Sequence, residues 1–87
     1  MLAIETKFHG PTNTKGARVS ARMHGMAKRV EIPWDHALSV TTNHQRAALY
    51  LLEKLDLFGR YIGGTTKTGM VFVYDLGEHD INSISRR

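Results

Sequence analysis

The residues best suited to chemistry in this chain are its cations, and they are concentrated. Residues 6–30 hold Lys7, Lys15, Arg18, Arg22, Lys28 and Arg29 and no acidic side chain. These six positive charges exceed the formal net charge of +4 on all 87 residues. Long cationic side chains at alternate strand positions can follow a phosphate backbone and release its counterions. Such contacts give affinity with little base specificity. The competing reading is a solvated sheet face whose lysines and arginines discourage edge pairing.

Two Gly/Thr/Lys segments, residues 9–16 (HGPTNTKG) and 63–69 (GGTTKTG), are the next candidates. Glycine lets backbone amides converge on an anion, and Thr and Lys add donors. Lys67 would join the basic set from the second segment. Neither segment matches the phosphate loop GxxxxGK[ST], and both also read as ordinary turns between strands.

The five histidines, His9, His24, His36, His44 and His79, are scattered and form no HxxxH or HExxH pair. A zinc site would need three or four of them brought together from distant segments. His36 beside Asp35 suggests a base with an orienting carboxylate, but neighbours on a strand point apart. His44 reads as a surface residue in a first helical turn. Ser20, Ser39, Ser83 and Ser85 lie in no GxSxG motif, and there is no cysteine nucleophile. Asp75, Glu78 and Asp80 could hold a divalent cation, pair with the basic segment, or form a solvated turn. No constellation fills the roles an active site needs, so a non-enzymatic protein without cofactor or metal is expected.

Composition narrows the setting. Eighty-seven residues make one domain with one modest core, for which the 41% hydrophobic content suffices. The absence of cysteine excludes disulfides and fits a reducing cytosol. The first residues, MLAIETKF, lack the basic and apolar regions of a signal peptide. No apolar run reaches the roughly 18 residues of a membrane-spanning helix. A cytoplasmic location without membrane association is therefore expected. The sequence pI of about 9.8 favours an anionic partner.

The elements that must position these groups follow from periodicity. Leu2, Ile4, Thr6 and Phe8 alternate with Ala3, Glu5 and Lys7 and predict a strand with one buried face. Residues 17–23 predict a second strand, with Ala17, Val19, Ala21 and Met23 inward and Arg18, Ser20 and Arg22 outward. After a turn at 24–27, residues 28–34 predict a third, with Val30, Ile32 and Trp34 inward and Arg29 and Glu31 outward. Pro33 puts its end at a sheet edge. Residues 35–41 read as a connector. Thr42 followed by Gln45 predicts a capping box opening a helix. Its buried stripe is Ala48, Leu51, Leu52 and Leu55, and Gly59 would supply a left-handed cap beyond its end at 56–58. Short strands follow at 60–62 and 70–74. Leu57, Phe58, Tyr61 and Ile62 form either an apolar patch fit for a partner or homodimer, or a small core under the helix end. The expected architecture is one α+β domain over residues 1–76. An antiparallel sheet, in the order β-β-β-α-β-β, carries a single helix packed on one face. Residues 77–87 read as a polar, flexible tail.

The strings TKFHGPTNTKGAR (residues 6–18) and GGTTKTGMVFV (residues 63–73) resemble a group of small proteins encoded by bacteriophages and other mobile elements of bacteria. The resemblance spans most of residues 3–75. It carries no activity and no site residue. It implies an accessory protein acting in the cytoplasm of a bacterial host. Two functions suit that setting. One is nucleic-acid binding through Lys7, Lys15, Arg18, Arg22, Lys28, Arg29 and Lys67. The other is inhibition of a host protein, such as a defence-system nuclease, in the manner of an anti-CRISPR protein.

Overall fold

Strand alternation sets the architecture of the chain, whose computed structural model describes residues 3–74 and 84–86. The elements are β1 (Ala3–His9), β2 (Arg18–Met23), β3 (Arg29–Pro33), α1 (Val40–Leu55), β4 (Gly59–Thr65), β5 (Gly69–Tyr74) and β6 (Ile84–Arg86). The strands form one antiparallel sheet in the order β3-β2-β1-β5-β4-β6. The α+β class and the single helix lying on the sheet are as the sequence predicts. The sixth strand is an addition. The segment read as a polar tail returns to pair Ile84 with Tyr61 at the edge of β4, and Ile84 is buried there. One apolar residue in a three-residue strand leaves no periodicity to read. Residues 75–83, including Asp75, Glu78, Asp80 and His79, lie outside the described residues.

The inner face of the sheet buries Ile4, Val19, Ala21, Met23, Tyr61, Met70 and Phe72 against Ala47, Ala48, Leu51 and Leu52 of α1. Truncating a fully buried leucine of this set to alanine would cost about 2–5 kcal/mol. Trp34 closes one end of the core edge-to-face on Phe8, with ring centroids 4.8 Å apart. The residues between 57 and 62 form no single patch. Tyr61 is fully buried and Leu57 packs on the core, while Phe58 is 51% exposed. Ile62 shares the outer face with its register partner Val73.

The helix starts earlier than the capping box suggests. Ser39 is the N-cap: its Oγ accepts from the Thr42 amide (3.1 Å) and its hydroxyl donates to Thr42 Oγ1 (2.8 Å). The β-branched pair Val40-Thr41, read as connector, is the first turn. Asn43, fully buried, fixes the chain entering it. Its Oδ1 accepts from the Asp35 amide (2.9 Å), and its Nδ2 donates to the carbonyls of Asp35 (2.9 Å) and Ser39 (3.0 Å). At the other end Asp56, not Gly59, takes the left-handed position (φ 55°), and the Leu57 amide returns to the Leu52 carbonyl at 2.9 Å. Gly59 (φ 119°) serves β4 instead, because a Cβ there would lie 2.5 Å from the Tyr74 ring.

His44 is not a surface residue. It is 2% exposed, on the face of α1 that meets β1. The Thr6 hydroxyl donates to the Met70 carbonyl (3.2 Å) and accepts from His44 Nδ1 (2.8 Å), which places the ring proton on Nδ1. Burial lowers the imidazole's affinity for a proton. Because the folded form binds a proton less readily than the unfolded chain, stability is fully present above the ordinary value of 6.5. It is lost as pH falls below that value towards the lowered folded one. Thermal melts across this range should show the loss, and His44→Gln should flatten it while lowering stability at neutral pH.

Gly69 pairs with Lys7 where β5 meets β1, and a Cβ there would lie 1.9 Å from the Thr6 carbonyl oxygen. Backbone atoms cannot yield as a side-chain tip can. Gly69→Ala should therefore destabilise the protein by roughly 3 kcal/mol, measured by denaturant unfolding.

Candidate nucleic-acid interface

Burying one face of each strand sends alternate residues to the other face. On the sheet side away from the helix the register makes three rows across β3, β2 and β1. They are Arg29-Arg22-Glu5, Glu31-Ser20-Lys7 and Pro33-Arg18-His9. The first two rows continue onto β5 at Val71 and Gly69. The cations of the first three strands thus share one face, and two carboxylates share it with them. Glu5 and Glu31 flank the acid-free stretch in sequence, and strand pairing folds them back into it.

These carboxylates divide the arginines between them. Glu5 Oε1 lies 3.5 Å from Arg22 Nη2 and 3.3 Å from His24 Nδ1. Glu31 accepts from Arg29 and lies 3.4 Å from Arg18 Nε. Arg18 also reaches the carbonyls of Gly16 (3.4 Å) and Gly10 (3.5 Å), which tie it to the β1–β2 loop. An exposed pair such as Arg22–Glu5 contributes only about 0–1 kcal/mol, so it orients the guanidinium group more than it stabilises the fold, whereas Arg18 Nε is buried beside Glu31. Four cations against two carboxylates leave the face a surplus of two positive charges.

A concavity of about 690 Å³ opens on this face. Lys7, Arg22, Arg29 and Lys67 line it together with His9 and Ser20. Lys67 enters from the β4–β5 turn, where the Thr66 amide donates to the Gly69 carbonyl (2.8 Å) and the Gly69 amide to Thr66 Oγ1 (3.1 Å). The β1–β2 loop uses the same device: the Thr12 amide donates to the Lys15 carbonyl (2.7 Å), and the Lys15 amide to Thr12 Oγ1 (3.0 Å). The two turns share a form but not a register. Lys15 occupies the fourth position and Lys67 the second. Lys15 and Arg18 line a separate, shallower depression with Glu31, and Lys28 lies on the β2–β3 turn, lining neither. The seven candidate cations therefore split, with four converging and three apart.

The floor of the concavity carries a contact that residue spacing did not suggest. His9 Nε2 lies 2.8 Å from Ser20 Oγ and 3.2 Å from Arg29 Nη2. Arginine can only donate, so Nε2 is an acceptor and the proton of the neutral ring is on Nδ1. Partial burial lowers the proton affinity of His9, and Arg29 and Arg18 lower it further against an opposing effect of Glu31. The signal was present in the strand alternation, which puts His9 and Ser20 on one face of adjacent strands. Ser20 Oγ is within reach of Nε2, and a second donor, Arg29, shares the nitrogen that would take the serine proton.

The remaining candidates do not converge. Asp35 Oδ1 accepts from the Ala37 amide (2.9 Å), so the carboxylate closes a turn instead of orienting His36. Among the described residues no group of three or more His, Asp or Glu side chains could hold a metal ion. None of the seven aromatic residues lines the concavity. No helix among the described residues is long and apolar enough to cross a membrane.

No protein-family model matches the chain, and no curated protein or solved structure matches it significantly. Arg29→Ala should raise the pKa of His9 towards the ordinary imidazole value, read from its ring proton shifts in an NMR pH titration, because a neighbouring positive charge is removed. Glu31→Gln should move it the other way.

Proposed function

We propose that this is a non-enzymatic accessory protein that binds nucleic acid through the sheet face opposite its helix. The observation that supports the reading is the convergence of Lys7, Arg22, Arg29 and Lys67 on one concavity. Lysine and arginine in such an arrangement attract phosphates and release counterions. With no Phe, Tyr or Trp in the concavity to stack an unpaired base, recognition is of the backbone and largely independent of sequence. The resemblance to proteins of phages and mobile elements gives this activity a setting, the cytoplasm of a bacterial host.

A second reading draws on a different observation. Arg22 with Glu5, and Arg18 and Arg29 with Glu31, give the face alternating signs. A mosaic of that kind also suits a protein partner with the complementary pattern, such as a host nuclease. A complex of that type would survive nuclease treatment, and a nucleic-acid complex would not.

Gel shifts with short DNA and RNA test the first reading. Affinity should fall steeply with salt, with a logarithmic slope of about −3 to −4 if four phosphates of a duplex are neutralised. The double variant Arg22→Glu/Lys67→Glu should abolish retention while keeping the wild-type fold by circular dichroism. Absence of any retention at low salt, or full retention by the double variant, would contradict the reading.

A further inference from the structure

The concavity has features that an open stripe for passing backbone would not need. It is bounded: β1, β2 and β3 form its floor, and the turn holding Thr66, Lys67 and Thr68 forms one wall. Its volume of about 690 Å³ lies in the range of small-molecule sites. At its base is a polar side chain that is almost wholly enclosed, Ser20, 6% exposed and bonded to His9.

Its charge also points to a particular ligand. Lys7, Arg22, Arg29 and Lys67 bring four positive charges to the lining and Glu5 one negative, while Glu31 lies outside the lining and is shared between Arg29 and Arg18. A phosphodiester link carries one negative charge and two free oxygens. A phosphomonoester carries close to two charges and three strong acceptor oxygens. That surplus of three among the lining residues suits the monoester better than a single diester link.

We propose that the concavity binds a single phosphomonoester, the phosphate at the end of a nucleic-acid strand or on a free nucleotide. The inference deepens the nucleic-acid reading and rests on it for the strand-end source alone. Lys67 and Lys7 approach the phosphate from the β4–β5 turn and β1, and the guanidinium groups of Arg22 and Arg29 from β2 and β3. The hydroxyls of Thr66 and Thr68 line the same wall. His9 is the responsive group. It is surrounded by Arg29 and Glu31 of β3, Arg18 and Ser20 of β2, and Lys7 of its own strand. A dianion beside it offsets the repulsion of those cations, so His9 takes up a proton as the phosphate binds. Its Nε2 then changes from acceptor to donor, and binding is coupled to uptake of a proton at His9 while the phosphate keeps its second charge, above the monoester's second pKa of about 6.

The test uses the full chain and one oligonucleotide sequence in three forms: 5′-phosphorylated, 3′-phosphorylated and with hydroxyls at both ends. Fluorescence anisotropy gives their affinities, and the His9 ring resonances are followed while inorganic phosphate is added. A terminal phosphate should tighten binding roughly tenfold or more, as charge-assisted contacts made only by the monoester would. Lys67→Ala should remove the difference, and Lys54→Ala on the helix should keep it. Inorganic phosphate should compete and move His9 towards its protonated shifts. Equal binding of all three oligonucleotides, with His9 unmoved by phosphate, would overturn the proposal and leave the general nucleic-acid reading standing. Response of His9 to phosphate with no oligonucleotide binding would support the pocket, assign it to a free phosphate, and refute the nucleic-acid reading. Silence in both arms would refute both.

Discussion

One sheet face must be buried, and that requirement decides where the charges on the strands go. Ile4, Val19, Ala21, Met23, Met70 and Phe72 can leave water together only on the side where α1 lies. The side-chain period of a strand is two, so the same pairing that buries them turns Lys7, Arg22 and Arg29 outward. A slip of one residue would bury arginines and expose the core. The cationic face is thus a consequence of the register, and it costs the fold nothing beyond the repulsion among the cations. Glu5 and Glu31 relieve part of that repulsion from within the same rows.

Lys67 reaches the face by a different route. It belongs to neither of the strands that flank β2, and it arrives because β5 pairs with β1. That pairing is close enough at Gly69 to leave no room for a side chain. The Thr66 hydroxyl then holds the turn by accepting from the amide three residues on. A backbone constraint at one glycine therefore determines whether the fourth cation joins the other three. The polar interior contributes in a parallel way. Asn43 fixes the entry to α1, and the bond between His44 and Thr6 ties that helix to the strand carrying Lys7 and His9 on its other side.

The parts of this structure that were legible in the sequence are those with a period. Alternation locates β1, β2 and β3 and assigns their faces, β-prone residues locate β5, and the leucine spacing locates α1. What lacked a period was missed. Ser39 caps the helix because Val40 and Thr41 are helical, although β-branched residues after a serine read equally well as connector. His44 reads as a surface residue because a histidine near a cap is usually solvated, and only the position of Thr6 across the interface makes its burial tolerable. β6 has one apolar residue and gave no signal. In the site, Glu31 reads as outward beside Arg29, but the spacing alone does not show which arginines Glu5 and Glu31 meet. The neighbours of a strand residue are on adjacent strands, and Glu5 and Glu31 return to the arginines by that path. The separation of Lys15 and Lys28 from the other cations also depends on turn geometry, which composition does not contain.

Four cations from β1, β2, β3 and the β4–β5 turn meet at one concavity, which we propose receives phosphate. Chemical-shift mapping of the backbone amides, with an end-phosphorylated oligonucleotide added to the labelled protein, tests this most directly. Perturbations should concentrate at Lys7, His9, Ser20, Arg22, Arg29 and residues 66–68, and spare the exposed face of α1. Perturbations gathered instead around Lys15 and Lys28, or on the helix, would contradict the account even if the oligonucleotide binds.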